Sequence, residues 1–108
     1  MTDLSASAED HIEQLRLLQE RLSQQNAAIF EHRFNLLLMG SFSLVAGTAQ
    51  HRIKFDWDGR EFFLNVQMCD CKSQASTQEW VQVDNVRIAP PQSVWPVISA
   101  RCGHALGA

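Results

Sequence analysis

The spacing of apolar residues predicts one long helix near the start of the chain. From Ala8 to Glu31 there is no Gly or Pro. Apolar residues recur in this stretch at spacings of three, four and seven: Ile12, Leu15, Leu18, Leu22 and Ile29. Such spacing places them on one stripe of a helix, and amphipathic helices usually pack that stripe on their own sheet. We expect the helix to begin near Ala8 and to end at about His32.

The residues that follow alternate between apolar and polar, which predicts strands. The alternation from Phe34 to Ala46 favours a strand from about Leu36 onward, although residues 36–39 fit another helical turn equally well. Gly40 within this strand predicts a bulge or a close approach of another backbone. Gly47 opens a predicted tight turn that leads into the next strand.

The strongest local signal is a hairpin centred on Asp58 and Gly59. Apolar and polar residues alternate on both sides of this Asp-Gly pair, which is typical of a two-residue hairpin loop. Such a loop would place Phe55 opposite Phe62 and would give Gly59 a positive φ. The apolar set of the hairpin then lies on one face and the polar set on the other.

The remaining sequence predicts one more strand and a short helix. Trp80 to Ile88 has strand character, and its alternation changes at residues 84–85, which predicts a bulge or turn. Ser93 can cap a final helix that Gly103 would stop. The predicted fold is α+β: a long N-terminal helix packed on a four-stranded antiparallel meander sheet, with a short C-terminal helix. We expect residues 1–108 to form a single domain in which residues 1–6 and 104–108 are mobile ends.

Composition and charge narrow the class of protein. The chain has 108 residues, of which 45% are hydrophobic and 19% charged, as in an ordinary soluble domain. Its formal net charge is −3, and its nine Lys and Arg residues form no run, so nucleic acid is not an expected partner. The most apolar stretch, residues 34–49, is too short and too polar to cross a membrane. An odd number of cysteines, three, fits a reducing compartment, so we expect a cytoplasmic protein.

Three cysteines and one histidine are the candidate metal ligands. Cys69 and Cys71 are two residues apart on a predicted strand, so their side chains should lie on the same face. Together with Cys102 and His104 they would complete a tetrahedral Cys3His zinc site. Neither pair has the spacing typical of zinc-binding motifs, and the interpretation of the cysteines as small apolar residues in the core is favoured. We therefore expect no cofactor, with zinc as the alternative.

The sequence contains none of the usual catalytic or phosphate-binding motifs, which favours a binding protein over an enzyme. Three carboxylates near the hairpin tip, Asp56, Asp58 and Glu61, are assigned to a solvated, charged end. Phe63 lies on the polar face of the hairpin, and an aromatic residue there indicates a second covered surface such as a subunit interface. The helix offers another candidate interface, because its apolar residues include a series seven apart: Leu15, Leu22 and Ile29.

The function predicted from the sequence is that of a small, non-catalytic, cytoplasmic binding or adaptor protein. It would act through protein contacts, as a homodimer, with the sheet face or the long helix as the interface. The first alternative is a small-ligand-binding module or enzyme with a pocket between helix and sheet. That pocket would be lined by Phe42, Phe55, Phe62 and Leu64. The second alternative is the zinc-binding protein.

Overall fold

The computed structural model describes residues 4–35, 37, 40–70 and 79–105. The elements, in chain order, are α1 (Leu4–Ser23), β1 (Ala28–Asn35), β2 (Ser41–Gly47), β3 (His51–Asp58), β4 (Phe63–Asp70), β5 (Val81–Arg87) and α2 (Trp95–Ala105). The strands form one antiparallel sheet in the order β1-β2-β3-β4-β5. The predicted α+β meander with a helix at each end is confirmed, and the sheet has five strands where we expected four.

The N-terminal helix ends nine residues before the predicted end, at Ser23, because Asn26 closes it. Asn26 adopts a left-handed conformation with φ of 57°. The amide of Asn26 donates to the carbonyl of Ser23 (3.3 Å), and the amide of Ala27 donates to the carbonyl of Leu22 (2.8 Å). This pair of bonds is a Schellman motif with Asn in the position usually held by Gly. Leu22 and Ala27 are both buried, which supplies the apolar contact that accompanies the motif.

The extra strand is β1, whose first five residues, 28–32, we assigned to the helix. Ile29 pairs with Ala46 and Glu31 with Val45, so Phe30 is an additional residue that forms a bulge. Gly40 precedes β2 with φ of 75° and so lies in a turn, not in a bulge within a strand. Of the ambiguous residues 36–39, only Leu37 is described, as 90% exposed and in a 3-10 turn.

The central hairpin has the predicted faces but a different loop. Phe55 pairs with Val66, not with Phe62, so the loop contains four residues, 59–62. The side chain of Asp58 closes it by accepting hydrogen bonds from the amides of Arg60 (2.9 Å) and Glu61 (3.1 Å). The positive φ belongs to Phe62, at 62°, and our prediction of a positive φ at Gly59 was wrong. Because the register moves by an even number of residues, the side chains that stay in the strands keep their predicted faces, whereas Glu61 and Phe62 lie in the loop.

The C-terminal part agrees with the predicted strand and helix except at the helix end. In the pairing of β4 with β5, Val66 is opposite Asp84 and Gln67 is opposite Gln82, so Val83 is an additional residue that forms a bulge. This bulge lies next to residues 84–85, where a bulge or turn was predicted. The hydroxyl of Ser93 accepts a hydrogen bond from the amide of Trp95 (3.3 Å) and caps α2. The helix continues through Gly103 to Ala105, and α1 begins at Leu4. Residues 4–6 and 104–105, which we expected in mobile ends, therefore belong to helices.

Both helices pack on the same face of the sheet and share one core. The core comprises buried residues of both helices, the three central strands and the adjoining loops: Leu18, Leu22, Ala27, Phe42, Leu44, Ala46, Ile53, Phe55, Leu64, Val66, Ile88, Val94, Trp95, Ile98 and Cys102. Since strand residues alternate between faces, the other face of the sheet carries their polar neighbours. That second face is where the fold leaves functional groups accessible.

Candidate functional site

The face of the sheet opposite the helices, called the open face below, carries a continuous row of polar side chains. The strand register places one polar residue of each strand in this row, here called the polar row: Arg33, Ser43, Asp56, Asn65 and Asn85. All five lie on the opposite parity from core residues such as Leu44, Phe55 and Leu64. The row therefore crosses the entire width of the sheet and presents hydroxyl, amide, carboxylate and guanidinium groups together.

A depression of about 630 Å³ lies over one end of the open face. Small serines on β2, between longer side chains on the neighbouring strands, leave this space. Its lining comprises Arg33, Phe34, Asn35, Ser41, Phe42, Ser43, Asp56, Trp57, Asp58, Arg60, Phe63 and Asn65. The hydroxyl of Ser41 accepts a hydrogen bond from the amide of Gly59 (2.9 Å), which ties the loop of the central hairpin to the edge of the depression. The site thus contains side chains of both charges and four aromatic side chains beside a polar floor.

Phe63 is the large apolar residue that the open face exposes at this end. Its side chain is 42% exposed, and its strand neighbours are Asp58 and Arg87. A ring of this size in water loses the stabilisation that burial would give, about 1.5–3 kcal/mol for a complete side chain. Aromatic and Arg side chains are also the residues enriched in protein interfaces. The position predicted for Phe63 from the sequence, on the polar face of the hairpin, is confirmed.

The other end of the open face is partly closed by cation–aromatic pairs. The guanidinium carbon of Arg52 lies 4.2 Å from the ring centre of Phe30, and the Nζ of Lys54 lies 5.7 Å from that of Trp80. Val45, which lies between them, is only 4% exposed. These contacts hold the charged side chains of Arg52 and Lys54 in place over this end of the face.

Two polar atoms of the open face are buried without a hydrogen-bond partner among the described residues. They are the Oδ1 of Asn65 and the Nε of Arg52. A buried group in this condition costs about 1–3 kcal/mol, and a partner that supplied the missing bond would recover part of that cost. Asn65 belongs both to the polar row and to the lining of the depression. The unsatisfied oxygen therefore marks a position where a bound molecule would gain a hydrogen bond after a small movement.

The proposed zinc ligands do not come together among the described residues. Cys69 shares the parity of Asn65 and lies on the open face, whereas Cys102 belongs to the core on the helix face. Burial raises the pKa of the Cys102 thiol to about 12, which favours the protonated form that does not bind metal. His104 is exposed on α2, and Cys71 lies outside the described residues. The described part of the chain contains no group of three or more His, Cys, Asp or Glu residues able to hold a metal ion.

The residues predicted to line a pocket or an interface are mostly part of the core. Phe55 and Leu64 have no exposed surface, and Phe42 is 6% exposed, at the edge of the depression. Phe62 lies in the hairpin loop and is half-buried. Leu22 is 2% exposed, and Leu15 and Ile29 pack partly buried against the same core. The apolar series seven residues apart is thus used within the chain, because the helix ends before Ile29 and packs on its own sheet.

The polar row was not predicted, because it depends on the register between strands. Asp56 and Asn65 were expected on the polar face of the hairpin, and that alternation was the available signal. Their alignment with Arg33, Ser43 and Asn85 requires two bulges and a four-residue loop, which the sequence pattern does not specify.

Comparison with known proteins gives no assignment: no family model matches the chain, and neither a curated protein nor a solved structure matches it. Neither helix, over the described residues, is long and apolar enough to cross a membrane.

Proposed function

We propose that this protein is a non-catalytic binding or adaptor protein that associates through the open face of its sheet, with a second copy of the chain as its partner. The observation that carries the proposal is the exposure of Phe63, 42%, beside the depression on a face that the helices leave uncovered. With Leu15, Leu22 and Ile29 packed against the core, the sheet is the better supported of the two interfaces predicted from the sequence.

The shape and chemistry of the depression favour a protein surface over a small molecule. Sites for small molecules are enclosed and mostly apolar, with few polar groups. The depression is open to solvent and is lined by four charged and four uncharged polar side chains. An aromatic side chain surrounded by a polar rim is typical of interfaces between proteins.

The charges on this face suit contact between two identical copies. In a two-fold interface each patch meets itself, so a patch must contain groups that complement one another. The depression carries Arg33 on β1, Asp56 and Asp58 on β3, and Arg60 in the loop that follows, so it contains charges of both signs. A two-fold axis near Phe63 would bring the two Phe63 rings together and would place this patch of mixed charge against its own copy, where arginines and aspartates of the two copies can pair.

The size of the sheet is adequate for such an interface. Five strands about 4.8 Å apart and seven residues long at about 3.3 Å per residue give a face of about 24 by 23 Å. This is about 550 Å² in projection, and side-chain relief brings the accessible area close to the roughly 800 Å² per partner of a standard interface.

Sedimentation velocity over a range of concentrations tests the proposal. We expect the wild-type chain to form a dimer, and Phe63→Asp to be a monomer with an unchanged circular dichroism spectrum. Ile12→Asp is the matched control, because Ile12 is 64% exposed on α1 and lies away from the open face. It should form the dimer as the wild type does. A wild-type monomer at all concentrations, or a folded Phe63→Asp variant that still dimerises, would contradict the proposal.

A groove between α2 and the sheet supports a second candidate function, the binding of a small amphipathic molecule. The groove is about 380 Å³, and its apolar lining is Ile53, Val66, Met68 and Val83. Arg101, which forms an ion pair with Asp84, also lines the groove together with His104, and these side chains would contact the head group of such a molecule. Native mass spectrometry of freshly purified protein should then show a retained organic mass that Val83→Arg removes. Protein of the mass of the polypeptide alone, unchanged after incubation with a medium-chain fatty acid, would contradict this candidate.

A further inference from the structure

Two histidines that are 21 residues apart in the sequence form a close pair between α1 and the sheet. The Nε2 atoms of His11, on α1, and His32, on β1, are 2.7 Å apart. At this distance one Nε2 must carry a proton and donate it to the lone pair of the other. His11 is 5% exposed, whereas His32 is partly exposed. Whether this hydrogen bond can form therefore depends on how many protons the two imidazole rings carry.

Aromatic rings surround His11 from every element that packs against it. The ring of Phe34 is stacked on it at 4.0 Å between centroids, and the rings of Phe42 and Trp95 lie at 4.9 and 5.2 Å. Thus β1, β2 and α2 each contribute an aromatic side chain, and the titratable group that faces His11 from them is His32. Asp10, the neighbour on α1, is exposed and is the acidic group that acts on His11.

These surroundings oppose a positive charge on the pair. Burial, and then the proximity of His32, lower the pKa of His11 from 6.5 to about 4, although Asp10 acts in the opposite direction. Burial also lowers the pKa of His32. When α1 is released from the sheet, both imidazoles enter water and regain a pKa of about 6.5. Acid therefore favours the released form.

The number of protons determines when the contact must break. A first proton can bind to the free Nδ1 of the donor ring, and the hydrogen bond between the Nε2 atoms remains. A second proton can bind only to the Nε2 that accepts this bond. Two N–H groups would then point at each other across 2.7 Å, and two positive rings would lie in contact, so the rings must separate.

His11 is also the residue that anchors this part of α1. Among the described side chains of residues 9–17, it is the buried one, whereas Leu18 and Leu22 hold the end of the helix in the core. We propose that the His11–His32 pair is a pH-sensitive latch that holds the N-terminal part of α1 on the sheet at neutral pH and releases it in acid. Release would uncover the rings of Phe34 and Phe42, which border the depression on the open face. The latch itself does not depend on the function proposed for that face.

Amide hydrogen exchange followed by NMR between about pH 7 and about pH 4, corrected for intrinsic exchange rates, tests the latch. The released form binds up to two additional protons. The opening constant of the α1 amides near His11 should therefore rise by up to about a hundredfold for each unit by which the pH falls. The β3 amides should remain protected over the same range. The ring resonances of His11 in the wild-type protein should titrate well below the usual range.

Three variants assign the effect to the pair. His32→Gln keeps a hydrogen-bonding group beside His11 and removes one titrating ring. In this variant the α1 opening constant should increase by only about tenfold for each unit by which the pH falls. His11→Phe fills the aromatic site without a titrating group and leaves His32 as the titrating ring of the pair, so here too the opening constant should change by no more than about tenfold per pH unit. His104→Gln alters an exposed histidine on α2 and should leave the wild-type response unchanged.

Two results would overturn the latch. One is an α1 opening constant that has the same pH dependence in wild type, His32→Gln and His11→Phe. The other is a His11 ring that titrates at about pH 6.5 in the wild-type protein. The second measurement requires no variant, so the inference is tested even if the substitutions impair folding.

Discussion

The turn between β2 and β3 provides a sharp test of the fold, because a single added methyl group should not fit there. Gly47 has φ of 146°, a conformation that side-chain-bearing residues rarely adopt. A Cβ built at this position would lie 2.2 Å from the carbonyl oxygen of His51 and 2.9 Å from the Cα of Arg52. Gly47 also pairs with Ala28 on one side and with Arg52 on the other, so neighbouring strands restrict its movement.

The expected loss of stability for Gly47→Ala follows from these contacts. Forcing the conformation on a non-glycine residue costs about 1–3 kcal/mol. The clash also displaces the carbonyl of His51, which accepts a hydrogen bond from the amide of Thr48 (2.8 Å), worth about 1 kcal/mol net. We therefore expect the free energy of unfolding to fall by about 2–4 kcal/mol, out of the roughly 5–15 kcal/mol typical of a domain.

Urea denaturation monitored by circular dichroism measures this loss, with Gly103→Ala as the control. A Cβ at Gly103 would have no heavy atom within 4 Å, and the residue lies within α2. Its replacement should raise the free energy of unfolding by about 0.5–1 kcal/mol, opposite in sign to the effect at Gly47. A loss at Gly47 smaller than about 1 kcal/mol, the lower limit of the conformational term alone, would refute the reasoning.

Three further predictions concern the core and its titrating groups. Phe55→Ala removes a side chain with no exposed surface and should lower the free energy of unfolding by about 3–5 kcal/mol in urea; a loss under about 1 kcal/mol would mean that the site is not buried. Because the pKa of His11 is lowered to about 4, its contribution to stability is complete above about pH 6.5, decreases as the pH falls, and is lost at about pH 4. After allowance for solvent screening, the contribution of His11 to the free energy of unfolding amounts to about 1–2 kcal/mol. Urea titrations at several pH values should show this contribution in the wild type but not in His11→Phe. Cys102, with its thiol pKa raised to about 12, should resist iodoacetamide in the native protein and react once unfolded; rapid native labelling in a peptide map would contradict its burial.

The faces of the strands could be predicted from the sequence because alternation follows directly from the pleat. Phe55 lies in the core although its partner is Val66 and not the expected Phe62, since a register change of even length preserves the face. The loop length was harder to predict. It depends on the bonds that the Asp58 side chain makes with the Arg60 and Glu61 amides, and an Asp-Gly pair is compatible with both loops.

The end of α1 shows why the fifth strand was missed. Apolar residues from Leu15 to Ile29 fit a helical stripe, and no Gly or Pro interrupts it. Asn26 was the signal for an end, because Asn adopts the left-handed conformation more readily than most residues. Asn26 can end the helix here because Leu22 and Ala27 on either side of it are buried in the core. That burial is a tertiary contact, which the local spacing of apolar residues does not reveal.

The candidate sites depend even more on tertiary structure. The polar row combines residues from five strands, and the His11–His32 pair joins a helix to a strand across 21 residues. Phe63 was recognisable from the sequence because one aromatic residue on a polar face is unusual within a single hairpin. The polar row and the histidine pair could not be recognised in this way, because each depends on contacts between different helices and strands.

The most direct test of the proposed interface is an isotope-filtered NOE experiment on an equimolar mixture of ¹³C-labelled and unlabelled protein. Contacts detected in this way join two copies of the chain. The proposed interface predicts NOEs from the ring of Phe63 in one copy to open-face residues such as Ser43 and Asn65 in the other. Monomeric tumbling without such NOEs, or NOEs that connect α1 of the two copies, would contradict it.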